Sequence, residues 1–146
     1  MRVRELLRSK PTTLITVKPH DSLDTAVHLL LANNIGGLPV VDGDGGVVGF
    51  IAERDIVRAV HGRREPMNSL YVQDVMRAAP TCDIEDTVMD TMRHMSAHRQ
   101  RHLVVRDGER LAGVLSVGDL VKYRLEQLET ETGVLRDYVA AQRAAT

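Results

Sequence analysis

The chain has 146 residues and a formal net charge of −1, so no charge excess draws it toward nucleic acid or an anionic membrane. Apolar content of 43% and charged content of 27% are those of an ordinary globular domain, and three Tyr, one Phe and no Trp leave few platforms for stacking bases. A single cysteine, Cys82, excludes an intramolecular disulfide and points to a reducing, cytoplasmic setting.

No apolar run is long enough to span a bilayer, and the opening Met1-Arg2-Val3-Arg4-Glu5-Leu6-Leu7 lacks the apolar stretch and cleavage site of a secretory signal. A chain of this size buries roughly 68–70% of its unfolded surface, enough for a real core, whereas a unit of about 60 residues alone is marginal.

In chain order, Val3-Arg4-Glu5-Leu6-Leu7 comes first and is answered later by Val72-Gln73-Asp74-Val75-Met76. A short strand is expected over 14–17, with its counterpart over 79–82. An amphipathic helix follows over 22–33, with Leu23, Ala26, Val27, Leu30 and Leu31 at helical spacing and Asp21 or Ser22 as cap. Its second copy covers 86–98, with Val88, Met89, Met92 and Met95 as the buried stripe and methionine acting as core filler.

A hairpin comes next in each half. Strand 38–41 meets 47–51 through Asp42-Gly43-Asp44-Gly45-Gly46, and 103–106 meets 111–115 through Asp107-Gly108-Glu109-Arg110. A helix follows each hairpin, over 53–60 and from 117 onward, and 61–70 reads as the connecting loop. In the last helix Val121, Leu125, Leu128, Thr132, Leu135 and Val139 are spaced 4, 3, 4, 3 and 4, a heptad-like stripe interrupted at Thr132-Gly133. Such a helix pairs with a second one, or folds back on its own domain.

The halves repeat each other. Leu38-Pro39-Val40-Val41-Asp42-Gly43 is answered by Leu103-Val104-Val105-Arg106-Asp107-Gly108, and 49–57 by 113–121, with a one-residue slip in the glycine-rich turn. The expected fold is α/β (α+β): two pseudo-symmetric β-α-β-β-α repeats packed as one module, plus a C-terminal helix. The divisions are 1–62, a loop at 63–71, 72–125, and an extension at 126–146.

Leu38-Pro39-Val40-Val41-Asp42 followed by Gly49-Phe50-Ile51-Ala52-Glu53-Arg54-Asp55-Ile56-Val57 resembles the cystathionine-beta-synthase (CBS) domain pattern. Residues 98–105 and 113–121 resemble its second copy, and the likeness covers about 1–125. Leu7-Arg8-Ser9-Lys10 and Glu53-Arg54-Asp55 look closest to small stand-alone bacterial CBS pairs. The resemblance implies a disc-shaped module that binds an adenosine-type ligand between the copies and commonly dimerises. AMP is the first expectation, with ADP, ATP, NAD(H) and S-adenosylmethionine as the others.

Ser116-Val117-Gly118-Asp119 sits where a strand hands over to a helix, whose unpaired N–H groups attract an anion. Ser116 and Asp119 match the family's Ser/Thr-x-x-Asp pattern, in which the hydroxyl meets phosphate and the carboxylate accepts from the ribose diol. The same spacing also fits a capping box that merely closes the helix.

By residue match this site also takes Thr13, Ile15, Gly36, Gly37, Leu38 and Pro39, where Ile15, Leu38 and Pro39 flank an adenine or are simply core, with Lys10, Arg101 and His102 toward phosphate or toward solvent. Gly36-Gly37 is a place where backbone approaches a ligand, or a plain helix exit. In the first copy Ala52 stands where the family has Ser or Thr. A second site would use Ala52, Arg54 and Asp55 with Pro80, Thr81, Gln100 and Arg101, Arg54 either supplying a charge-assisted contact to phosphate in place of the lost hydroxyl or standing as a surface arginine. Gln100 and Val104 also depart from the family pattern.

His94 and His98, four apart, have no third partner placed by sequence, so no metal site is expected. Walker, Rossmann and nucleophile-elbow motifs are absent. The expected function is a non-enzymatic energy or redox sensor that binds an adenine nucleotide and acts through a homodimer or a protein partner in trans, without nucleic acid or membrane. The alternative is a structural interaction module with vacant clefts.

Overall fold

A computed structural model describes residues 1–10 and 14–144. Helix α1 (Val3–Ser9) leads to α2 (Leu23–Asn33), strands β1 (Gly37–Val41) and β2 (Val47–Ala52), and α3 (Glu53–Gly62). After a single 3-10 turn at Met67–Ser69 come α4 (Val72–Val75), β3 (Thr81–Asp83), α5 (Val88–His98), β4 (His102–Asp107), β5 (Arg110–Ser116) and the long α6 (Val117–Ala144).

Local chemistry accounts for the repeated elements. Ser22 and Thr87 cap α2 and α5 by accepting from the N–H groups of Thr25 and Asp90, and both helices end on a left-handed residue, Asn34 at φ 51° and Arg99 at φ 52°. β1 pairs antiparallel with β2, and β4 with β5, each with an irregularity at the same place in the repeat, Val40/Val41 and Val105/Arg106. β3 pairs parallel with β4.

Two expectations change. The strand over 14–17 is reduced to one parallel bridge, Val17 to Val40, the counterpart of the Cys82–Val105 pair inside β3. On the helices, Leu31 is 78% exposed and Met89 43%, while Thr91 is buried and satisfies its hydroxyl on the Thr87 carbonyl at 2.9 Å. Leu31 and Met89 lie one step past the buried faces defined by Leu23, Ala26 and Leu30 and by Val88, Thr91 and Met95.

The core has three parts. Leu23, Leu30, Leu38, Val40 and Ile51 centre the first, and Val88, Met95, Leu103, Val105 and Leu115 the second. Phe50, Ala52 and Val104 join the two sheets in the middle. The short lead-in helices are exchanged. α1 puts Val3 and Leu6 into the second core, with Val3 N–H donating to the Asp86 carbonyl at 2.9 Å and Arg4 pairing with Glu85. α4 puts Val72 into the first core, with its N–H on the Asp21 carbonyl at 2.8 Å.

Candidate functional site

Two clefts open between the halves, and each centres on a strand-to-helix junction. The first has a volume of about 490 Å³, within the usual ~300–1,000 Å³ of ligand sites. Its apolar walls are Leu7, Leu14, Ile15, Ile35, Ala112 and Val114, and its polar end is Lys10, Ser116 and Asp119.

At that end the backbone turns from β5 into α6. Ser116 N–H and Oγ–H both donate to Asp119 Oδ2, at 2.8 and 3.0 Å, and Asp119 N–H donates back to Ser116 Oγ at 3.2 Å. The capping box therefore forms, and its two side chains still line the cleft. Lys10 Nζ donates to the same Oδ2 at 2.8 Å and to the Val114 carbonyl at 2.7 Å. Oδ1 has no partner among the described residues. Burial pushes the Asp119 carboxyl up, but Lys10 and the Ser116 donors outweigh it, so the group is held below the usual carboxylate range and stays ionised.

The first repeat reproduces this arrangement without the hydroxyl. Ala52 N–H donates to Asp55 Oδ2 at 2.8 Å, and Arg77 Nε lies 3.3 Å from the same oxygen. Arg77 thus stands to Asp55 as Lys10 stands to Asp119, and sequence reasoning missed it. The available signal was the basic residue that follows each lead-in helix, Lys10 after α1 and Arg77 after α4.

The second cleft, of about 880 Å³, is lined by Ala52, Glu53, Arg54, Asp55, Arg58 and Arg77 on one side and by Arg99, Gln100, Arg101 and the start of α6 on the other. Gly36, His102 and Ser116 line both clefts and form their common wall. His102 packs on Phe50 with ring centroids 5.4 Å apart, and its Nδ1 is buried without a hydrogen-bond partner among the described residues. Burial, then the nearby Arg77, lowers its pKa against the opposing pull of Glu53, which favours the neutral imidazole.

The sequence-expected residues divide as follows. Lys10, Ile15, Gly36, Gly37, His102, Ser116 and Asp119 meet in the first cleft, and Thr13 lies outside the described residues. Leu38 and Pro39 are buried strand residues that line neither cleft. Arg101 lines the second cleft and not the first, together with Ala52, Arg54, Asp55 and Gln100. Thr81 is paired with Val104 in the sheet, the Pro80 carbonyl accepts the Val104 N–H at 2.8 Å, and neither residue lines a cleft. Gly37 has a packing reason of its own, since a Cβ there would stand 2.5 Å from the Phe50 ring.

A family model described as the CBS domain matches residues 3–62 and again 72–126. The chain belongs to the CBS-domain family. As a CBS pair it is similar in structure to the CBS-domain-containing protein ATU1752 from Agrobacterium tumefaciens, at 37% identity and a TM-score of 0.78, covering 84% of this chain and 92% of that one. It is also similar to the CBS domain protein PAE2072 from Pyrobaculum aerophilum, whose structure is complexed with AMP, at 27% identity and a TM-score of 0.78, over 90% of this chain and 99% of that one.

Inosine-5'-monophosphate dehydrogenase from Methanocaldococcus jannaschii is 33% identical over 76% of this chain, but the chain spans only 22% of that enzyme's length. Among the described residues no helix is long and apolar enough to cross a membrane, and no group of three or more metal-binding side chains gathers.

Proposed function

We propose that this CBS pair is a cytoplasmic, non-catalytic regulatory module that binds an adenine nucleotide in the first cleft and passes the signal on through α6 to a second copy of the chain. Adenine lies between the apolar walls, the ribose diol donates to Asp119, and phosphate meets Ser116 and Lys10. The observation that carries this reading is the half-buried, ionised Asp119 beside Ser116 at one end of a cleft walled by Leu7, Leu14, Ile15, Ile35, Ala112 and Val114. A relative complexed with AMP supports it.

The test is calorimetry and thermal shift with AMP, ADP, ATP, NADH and S-adenosylmethionine on wild type and Asp119→Ala. At 100 times its dissociation constant a ligand stabilises the fold by about 2.7 kcal/mol. Wild type should respond to at least one compound, and Asp119→Ala should bind it roughly tenfold or more weakly, as expected for losing hydrogen bonds to a charged group. Silence from all five compounds, or an undiminished response in the variant, sinks the proposal.

A second reading, a structural module with vacant clefts, is favoured by one contact. Lys10 Nζ already occupies Asp119 Oδ2 at 2.8 Å, so the protein's own cation satisfies the carboxylate.

A further inference from the structure

The two clefts occupy equivalent places in the repeat, but their chemistry differs. Where the first cleft has Gly36-Gly37 at its edge, the second has Arg101-His102, and the small side of the cleft becomes a cationic one. Its apolar side chains are three, Ala52, Val57 and Val117, against six in the first cleft, and charged or amide side chains take up most of the rest of its lining. Five arginines line it: Arg54, Arg58, Arg77, Arg99 and Arg101.

Arg77 is spent on Asp55. Among the described residues no hydrogen bond or ion pair engages the guanidinium groups of the other four, and Glu53 is the remaining counter-charge. The N-termini of α3 and α6 both open onto the same space, which adds their positive dipole ends.

We propose that the second cleft is a polyphosphate port and not a second nucleoside site. Its ligand is a chain of phosphates, supplied either as the tail of a nucleoside triphosphate seated in the first cleft or as free inorganic polyphosphate. The tail crosses the common wall at Ser116, Gly36 and His102, whose Nδ1 is buried and unpartnered. Arg54 and Arg99 then grip it from opposite sides, by charge-assisted hydrogen bonds that are worth more than neutral ones. The tail route rests on the proposed nucleotide site. The port itself rests only on the arginines.

The test compares AMP, ATP and inorganic tripolyphosphate on wild type and Arg54→Gln/Arg99→Gln, without divalent cations and at fixed ionic strength. Both substituted side chains are exposed, and a thermal melt checks that the variant is folded. Wild type should bind ATP roughly tenfold or more tightly than AMP, as charged hydrogen bonds convert to affinity. The double variant should lose that preference, and tripolyphosphate should stabilise wild type but not the variant.

Equal binding of AMP and ATP with no effect of tripolyphosphate overturns the port and leaves the nucleotide site standing. Tripolyphosphate stabilisation that the variant loses, with no response to AMP, upholds the port on its own and removes AMP as the occupant of the first cleft. A variant that keeps a full response to both phosphate chains overturns the port outright.

Discussion

At the scale of single residues, the two junctions show what one side chain changes. Ser116 supplies a backbone and a hydroxyl donor to Asp119, whereas Ala52 supplies only its backbone N–H to Asp55. Ser116 and Asp119 were legible because their motif is local. Arg77 was not, because its place is set by a long-range bridge in which its N–H and carbonyl pair with Phe50. The local trace, a basic residue after each lead-in helix, does not say which carboxylate it will meet.

The shifted groups give a pH dependence with a definite sign. Asp119 titrates lower in the fold than in the unfolded chain, so its stabilisation is complete above the usual carboxylate range and is lost as pH falls through that range toward the folded value. His102 is also lowered, so the unfolded chain takes up a proton there first and stability drops as pH falls through the ordinary histidine range. Urea midpoints from about pH 8 to about pH 3 should therefore decline in two stages. His102→Gln should flatten the upper stage and Lys10→Met the lower. Unchanged profiles in both variants would contradict these assignments.

Cys82 offers a further check. Burial, with Asp86 and Asp83 adding to it, pushes its thiol up to about 12, so it is a small core residue with almost no thiolate. Alkylation by iodoacetamide near neutral pH should be far slower in the native protein than in urea. Equal rates would show the thiol to be reactive.

At the scale of elements, both hairpins and both amphipathic helices were readable within a residue or two, because pattern and turn chemistry agree there. The first lead strand is reduced to the single bridge Val17–Val40, whereas its counterpart β3, also paired on one side only, forms three pairs. The two lead-in helices have 7 and 4 residues, too few to write a stripe of their own.

The last helix is the opposite case. Leu120 and Tyr123 hold its first turns against the second core, and beyond them its stripe is bare: Leu125 is 55% exposed, Leu135 62% and Val139 40%. Across a parallel pair in register, the flanking positions bring Arg124 to the partner's Glu129, and Glu131 to the partner's Arg136, which are opposite charges at both levels. An antiparallel pairing would set Glu131 against its own copy.

The proposed homodimer is thus expected to be parallel. Leu128→Cys in a Cys82→Ser background should cross-link to itself on oxidation, and truncation after Leu125 should yield monomers by sedimentation. A dimer that survives truncation, or no cross-link, refutes this arrangement.

At the scale of the whole molecule, the pseudo-symmetry was plain in the sequence but the exchange of α1 and α4 was not. Apolar residues announce that they will be buried, not in which core. Val3 and Leu6 belong to the first repeat by position and to the second by packing. Leu6→Ala should therefore cost about 2–5 kcal/mol, as buried leucine truncations do. Its loss of hydrogen-exchange protection should appear in α5 and β4, not in α2 and β1. The reverse pattern would show that α1 serves its own repeat.

The crossed helices carry an ancestral implication. A gene coding for only one such unit makes a chain whose opening turn has no cavity at home, so two copies must trade beginnings before either becomes solid. That trade depends on how crowded the twins are. Joining them end to end replaces a chance encounter with a tether, and the effective local concentration, of millimolar order for short linkers, makes the swap routine.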